Sequence, residues 1–366
     1  MREWKEIKLG DICAFQEGYV NPSQNFPEYF DGNIKWLRAT DLNNGYVYNT
    51  TRTLTQKGFE SAGKSALLFK PNTIGISKSG TIGRLGILKD YMCGNRAVIN
   101  IAPSSEVDTK FIYYTLLSMQ SNFEHLAVGS VQKNLYVPIL ADISIKLPPL
   151  AEQQRIASIL SSLDDKIELN NTINKNLEEQ AQTLFKNWFI DFEPFGGEMP
   201  KDWKVGKLSD IVNVKYGKDH KKLGDGIIPV YGSGGIMRYA DQFLYDKESV
   251  LIPRKGTLNN IFYISEPFWS VDTMFYTEML IPNAAKFVYF FMKEKDLQSL
   301  NAGSAVPSMT TEILNALPVV IPPAEQLQKY DRIVSSMFKK IDENLKEIAN
   351  LTNLRNSLLQ KLIHNN

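Results

Sequence analysis

The chain's three histidines, His125, His220 and His364, stand in unrelated contexts and are too scattered to build a metal site or a nucleophile–base pair. Cys13 and Cys93 have no Cys-x-x-Cys spacing, so neither a zinc knuckle nor a disulfide framework is indicated, and both read as buried free thiols. No Gly-x-x-x-x-Gly-Lys-Ser/Thr phosphate loop occurs, nor His-Glu-x-x-His, nor a Gly-x-Ser-x-Gly elbow. Asp108-Thr109-Lys110 has the look of a nuclease Asp-x-Lys, yet it leads into a helix of packing aromatics. No catalytic or metal-binding residue is therefore expected. What remains is a set of basic and amide side chains beside turn glycines, as in Ser77-Lys78-Ser79-Gly80 and Pro253-Arg254-Lys255-Gly256. A denser group is Lys215, Lys218, His220, Lys221 and Lys222. On projecting loops, such side chains suit hydrogen bonds to base edges and phosphates.

Those loops have to be held by something, and the chain supplies the same scaffold twice. Leu147-Pro148-Pro149 followed by Ala151-Glu152-Gln153 returns as Ile321-Pro322-Pro323 followed by Ala324-Glu325-Gln326, the prolines matching at an offset of 174 residues. Trp4-Lys5 with Leu9 and Asp11-Ile12 returns as Trp203-Lys204 with Leu208 and Asp210-Ile211. Between these ends Gly80-Thr81 matches Gly256-Thr257, and Lys110-Phe111-Ile112-Tyr113 matches Lys286-Phe287-Val288-Tyr289. Gly129-Ser130 likewise matches Gly303-Ser304. A repeat of roughly 170 residues is much longer than a solenoid unit, so the pattern is domain duplication.

Asn72 to Leu88 alternates aliphatics on both sides of a Gly-Thr turn, as a hairpin does, and Ser249 to Ile264 is its counterpart. The segments 110–119 and 286–293 space aromatics as a helix packed on a sheet. After Pro149 a 4,3,4,3 alternation runs through Ile156, Leu160, Leu163, Ile167, Asn170, Asn174, Leu177, Ala181 and Leu184. Tyr330, Val334, Met337, Ile341, Asn344 or Leu345, Ile348, Leu351, Leu354 or Arg355, Leu358 and Leu362 continue the second copy. Each run of about 40 residues makes a helix of roughly 60 Å, too long for one small domain to cover, so the two helices are expected to cover each other. Asn170 and Asn344 share one repeat position in the seam, where a polar residue sets register at a cost in stability. The fold class is α/β: two repeated mixed α/β domains joined by two long antiparallel coiled-coil helices. The expected divisions are 1–148, 149–192, 193–322 and 323–366.

With 366 residues, 43% hydrophobic and 22% charged, the chain is long enough for two ordinary cores. No apolar run reaches the ~18 residues of a membrane span and no signal peptide opens the chain, so a cytoplasmic protein without membrane contact is expected. The net charge of +1 rules out a wholly basic binder and leaves room for local patches.

Two globular parts, each followed by a Pro-Pro-x-Ala-Glu-Gln helix, resemble the DNA-specificity (S) subunits of type I restriction-modification enzymes. The resemblance runs over nearly the whole chain. Its most specific pieces are residues 147–156, residues 184–194 with Trp188, Phe189 and Phe192, the Pro229-Val230-Tyr231-Gly232-Ser233-Gly234-Gly235 segment, and the closing Leu358-Leu359-Gln360-Lys361-Leu362. The second helix motif departs by one residue, and the second domain is shorter. The resemblance implies target recognition domains that each read one half of a bipartite site in double-stranded DNA. It implies no cofactor in this chain. Catalysis would belong to two methyltransferase (M) subunits using S-adenosylmethionine and to restriction (R) subunits using ATP and Mg. DNA contacts are expected from Ser77, Lys78, Arg84, Arg96, Gln132, Lys133 and Asn134 in the first domain. In the second they are expected from Lys218, His220, Lys221, Arg254, Lys255, Asn259 and Asn260. Trp188, Phe189 and Phe192 are expected to dock a methyltransferase subunit. A self-contained methyltransferase or nuclease would need a glycine-rich cofactor loop and an Asn/Asp-Pro-Pro-aromatic motif, and neither occurs. A coiled-coil scaffold without DNA binding is the remaining alternative.

Overall fold

The computed structural model describes residues 4–129, 133–300 and 308–364. The chain divides into two units, residues 1–170 with 346–366, and residues 171–345.

In the first unit, alternating aliphatics build a sheet in the order Cys13–Glu17, Val98–Pro103, Ile74–Ser77, Leu85–Leu88 and Gly45–Val47. The first four strands pair antiparallel and the last pairs parallel. The Asn72–Leu88 hairpin thus forms from Ile74–Ser77 and Leu85–Leu88. Helix α1 (Thr109–Ser118) lays Phe111, Ile112, Tyr113, Tyr114 and Leu116 into the core. Asp108 is its N-cap, accepting from the Phe111 amide at 2.9 Å, which accounts for the acid of the Asp-x-Lys tripeptide. Lys5–Lys8 pairs antiparallel with Ser144–Leu147 just before the first Pro-Pro. A smaller sheet holds Thr53–Leu54, Phe30–Leu37, Met92–Gly94 and Leu68–Phe69.

The second unit repeats the order, with Val212–Tyr216, Met274–Met279, Ser249–Pro253 and Phe262–Ile264 in one sheet. Lys204–Lys207 pairs with Pro318–Ile321 as its counterpart does in the first unit. The register is repeated too: Glu17 lies opposite Ile99, and Tyr216 lies opposite Phe275. The small sheet here is Gly235–Ala240, Asp225–Gly232 and Trp269–Ser270.

Helices α2 (Leu150–Phe189), α3 (Ala285–Lys293) and α4 (Ala324–His364) complete the framework, with α2 and α4 at 40 and 41 residues. Each long helix contributes to both units. In the first unit Ile156, Leu160, Leu359 and Ile363 are buried in the core that α1 covers. Arg355 bonds to Asp164 at 2.7 Å, and Asp164 accepts from the Tyr114 hydroxyl at 2.6 Å. The Asn170 amide donates to Glu347 at 2.8 Å. In the second unit Ala181 and Phe185 pack with Tyr330 and Val334, and the Asn344 amide donates to Asn174 at 2.8 Å. Within each unit the pairing runs antiparallel. Of the two open positions in the second seam, Asn344 rather than Leu345 and Arg355 rather than Leu354 face inward. Asn170 and Asn344 each meet a polar side chain of the other helix.

Gln153, in the first Pro-Pro motif, explains part of that motif physically. Its side chain donates to the Pro148 carbonyl at 2.8 Å and accepts from the Asp108 amide at 2.9 Å, tying the start of α2 to the cap of α1. Leu327, 174 residues on, is fully buried instead, so the one-residue shift in the second motif replaces a polar tie by an apolar contact.

Candidate nucleic-acid interface

Three segments of the first unit meet at Lys78. Its amide donates to the Ala97 carbonyl at 2.8 Å, and its carbonyl accepts from the Leu135 amide at 2.9 Å. The turn from Ser77 to Arg84, the Arg96–Ala97 turn and the stretch containing Lys133 and Asn134 are thereby brought to one place. Arg84, Arg96 and Lys133 are exposed there. Asn134 is half-buried and exchanges both backbone bonds with Val128. Gln132 lies outside the described residues. Ser77 is fully buried, its hydroxyl donating to the Thr81 carbonyl at 2.5 Å and accepting from the Arg84 amide at 2.8 Å. With Gly80 and Gly83 at positive φ, Ser77 shapes the turn and has no free polar atom to offer a ligand.

The second unit builds the same junction at Arg254. Its amide donates to the Thr273 carbonyl at 2.9 Å, and its carbonyl accepts from the Met309 amide at 2.9 Å. Lys255 beside it is exposed. The Asn259 side chain accepts from the Leu297 amide at 3.0 Å, and the Asn260 amide donates to the Ser233 carbonyl at 2.7 Å. Both asparagines, expected at DNA, are occupied in holding loops together, because a loop must satisfy the backbone groups it brings inside. Lys218 and Lys221 are exposed, and the half-buried His220 has its Nδ1 buried without a hydrogen-bond partner. Lys218 is placed by the preceding glycine: a Cβ on Gly217 would lie 2.1 Å from the Val271 carbonyl oxygen. Gly18 is its counterpart, with a Cβ 2.2 Å from the Asn95 carbonyl oxygen.

Two side chains at these junctions were not among the expected residues. Glu17 sits 2.9 Å from the Lys78 ammonium, and its charge, with a little burial, holds the exposed Tyr19 hydroxyl above its ordinary pKa. Tyr216 carries the Arg254 guanidinium 5.4 Å from its ring centre. The tryptophan-anchored repeat aligns the two, each directly before a glycine, so the signal was present in the sequence.

Trp188, Phe189 and Phe192 lie in the second unit's own core region. Phe189 is 4% exposed and packs on Phe287, Tyr330 and Trp203. Trp188 packs tilted on Tyr330 and edge-on to Phe195, and Phe192 meets Trp203 edge-on. The expectation of three docking anchors is thus corrected for Phe189, whose ring is covered intramolecularly, while Trp188 and Phe192 keep partly exposed faces. Among the described residues no group of acidic, histidine or cysteine side chains could hold a metal, and no helix is long and apolar enough to cross a membrane.

A duplicated α/β domain presents basic loops from a repeated junction, an arrangement suited to holding nucleic acid. The type I restriction modification DNA specificity domain matches residues 1–179 and again residues 200–353. The chain belongs to that family. It is 28% identical to the MjaIX type I restriction enzyme specificity subunit of Methanocaldococcus jannaschii, over 99% of this chain and 93% of that one. It is 22% identical to the HindI specificity subunit of Haemophilus influenzae, over 100% and 99% of the two chains. The crystal structure of a type I restriction-modification S subunit from M. genitalium shares the fold, with TM-score 0.59, 22% identity, and 98% and 96% of the chains covered. The protein is a specificity subunit, and its task is recognition of a DNA target.

Proposed function

We propose that the chain reads a two-part target in double-stranded DNA, each domain taking one half through the loops gathered at Lys78 or Arg254. The observation that carries this is the repeated junction: one backbone arrangement, built twice, gathers Arg84, Arg96 and Lys133 in one domain and Lys255 in the other around a cationic residue. Lys218 and Lys221 add charge suited to phosphates in the second domain. His220, Asn134 and Gln132 remain proposed contacts, whereas Ser77, Asn259 and Asn260 act by shaping the loops.

On this reading the chain selects DNA in the cytoplasm and leaves chemistry to partners. Two methyltransferase subunits would bring S-adenosylmethionine, and restriction subunits would bring ATP and Mg. The exposed faces of Trp188 and Phe192 are the part of that segment left to receive a methyltransferase subunit. Exchanging residues 1–148 for the matching domain of a related subunit should change one half of the methylated target and leave the other. Mapping methylated adenines in cells tests it, and a change in both halves would overturn the two-reader proposal. A scaffold without DNA binding predicts no salt-dependent duplex affinity.

A further inference from the structure

The duplication supplies an internal control for the junction. Strand register makes Glu17 equivalent to Tyr216, because Ile99 and Phe275 face them at the same step of the repeated sheet. Ser77 opposite Val98 and Pro253 opposite Met274 make the following residues, Lys78 and Arg254, equivalent as well. The backbone bonds of the two junctions match within 0.1 Å, at 2.8 and 2.9 Å to the Ala97 and Thr273 carbonyls. Only the side chains differ: a lysine–carboxylate pair in one domain, an arginine stacked on a tyrosine in the other.

The fold therefore does not need an ion pair at this place. Nor does a carboxylate help affinity, since it repels phosphate at a junction whose Arg84, Arg96 and Lys133 are exposed cations. What it adds is an acceptor next to a donor. That is the complement of the major-groove edge of a G·C pair, where guanine N7 and O6 accept and the neighbouring cytosine N4 amino group donates. Both side chains keep an exposed edge, 14% for Lys78 and 20% for Glu17.

Resting on the DNA-reading function above, we propose that Glu17 and Lys78 act together as a specificity-determining pair in the first domain, Lys78 donating to guanine and Glu17 accepting from the cytosine amino group. Arg254, stacked on Tyr216 and donating to the Asp272 backbone carbonyl at 3.2 Å, is the second domain's donor at the same place.

The test is selection of the full-length chain on a pool of randomised DNA duplexes, followed by sequencing, with the wild type, Glu17→Leu, and the double variant Glu17→Tyr with Lys78→Arg. The double variant carries the second domain's pair into the first, whose backbone bonds at this place match those that hold the pair in the second. Wild type should enrich a G·C pair at one position of one half-site. Glu17→Leu should lose roughly tenfold of that preference, and the double variant, which keeps a guanine donor but no carboxylate, should lose less; both should keep the other half-site and bind duplex at least as tightly overall. Unchanged preference in a variant with wild-type melting temperature would make the pair structural only and overturn the proposal, as would loss of preference for an A·T pair instead. Failure of the wild type to enrich any sequence would overturn the DNA-reading function itself, a separate outcome.

Discussion

Lys286 keeps its charge in a nearly closed site, 4% exposed, with Glu248 and Asp331 each 2.9 Å from its ammonium and the Tyr263 ring 5.1 Å away. Burial opposes the charge, but Tyr263 and the two carboxylates outweigh it and hold the ammonium above its usual pKa. Burial likewise pushes Glu248 up, and hydrogen bonds from Lys286 and Tyr263 more than reverse it, so Glu248 lies below its ordinary 4.5. A depressed carboxylate contributes stability that is present above 4.5 and lost as pH falls through the folded value. Lys286→Met should strand both carboxylates against an apolar side chain and cost about 3 kcal/mol, the low end for breaking a buried pair because Glu248 retains solvent contact. Urea denaturation at pH 7 should show that loss, and at pH 4 a smaller one as the stranded carboxylates take up protons. A cost below about 1 kcal/mol at pH 7 would mean the site is wetter than its packing indicates.

The last turns of α2 show how an element's place decides what its residues do. Phe185 and Phe189 insert between Phe287 on α3 and Tyr330 on α4, so the end of this helix is part of the second unit's core. Phe189→Ala should cost about 3–5 kcal/mol, read as a shifted denaturation midpoint. A variant that kept wild-type stability and lost its methyltransferase partner would return Phe189 to a docking role. The same comparison marks what could be read in the sequence. The duplication, the hairpins, α1, α3 and both long helices follow from periodicity and matched motifs, because each depends on neighbours within a few turns. Even the polar seam positions Asn170 and Asn344 were legible from heptad spacing, though not their partners Glu347 and Asn174. The loop-holding bonds of Ser77, Asn259 and Asn260 were not legible, because each bonds a backbone group that only the folded loop brings near. Glu17 and Tyr216 were not legible as partners of Lys78 and Arg254, because the pairing of a cation with its neighbour is a property of the sheet register.

Two long helices shared between two recognition units raise the question of what sets the gap between half-sites. At 40 and 41 residues, helices rising 1.5 Å per residue extend about 60 Å. If helix length fixes the gap, inserting seven residues after Lys175 in α2, with seven more at the facing turn near Glu343 in α4, lengthens each helix by about 10 Å. Asn174 bonded to Asn344 identifies those turns as neighbours. Seven residues preserve the heptad, so the apolar seam continues through the insertion, whereas four would turn it by half a repeat and lose stability. Since duplex DNA rises about 3.4 Å per base pair, the unread gap should grow by about three base pairs, fewer if the helices lie oblique to the DNA axis. The half-site sequences should stay as they are, because neither the Lys78 nor the Arg254 junction is touched. Mapping methylated adenines in cells carrying the doubly extended chain reads both quantities at once. An unchanged gap in a folded, active variant would show that the helices do not measure the spacing.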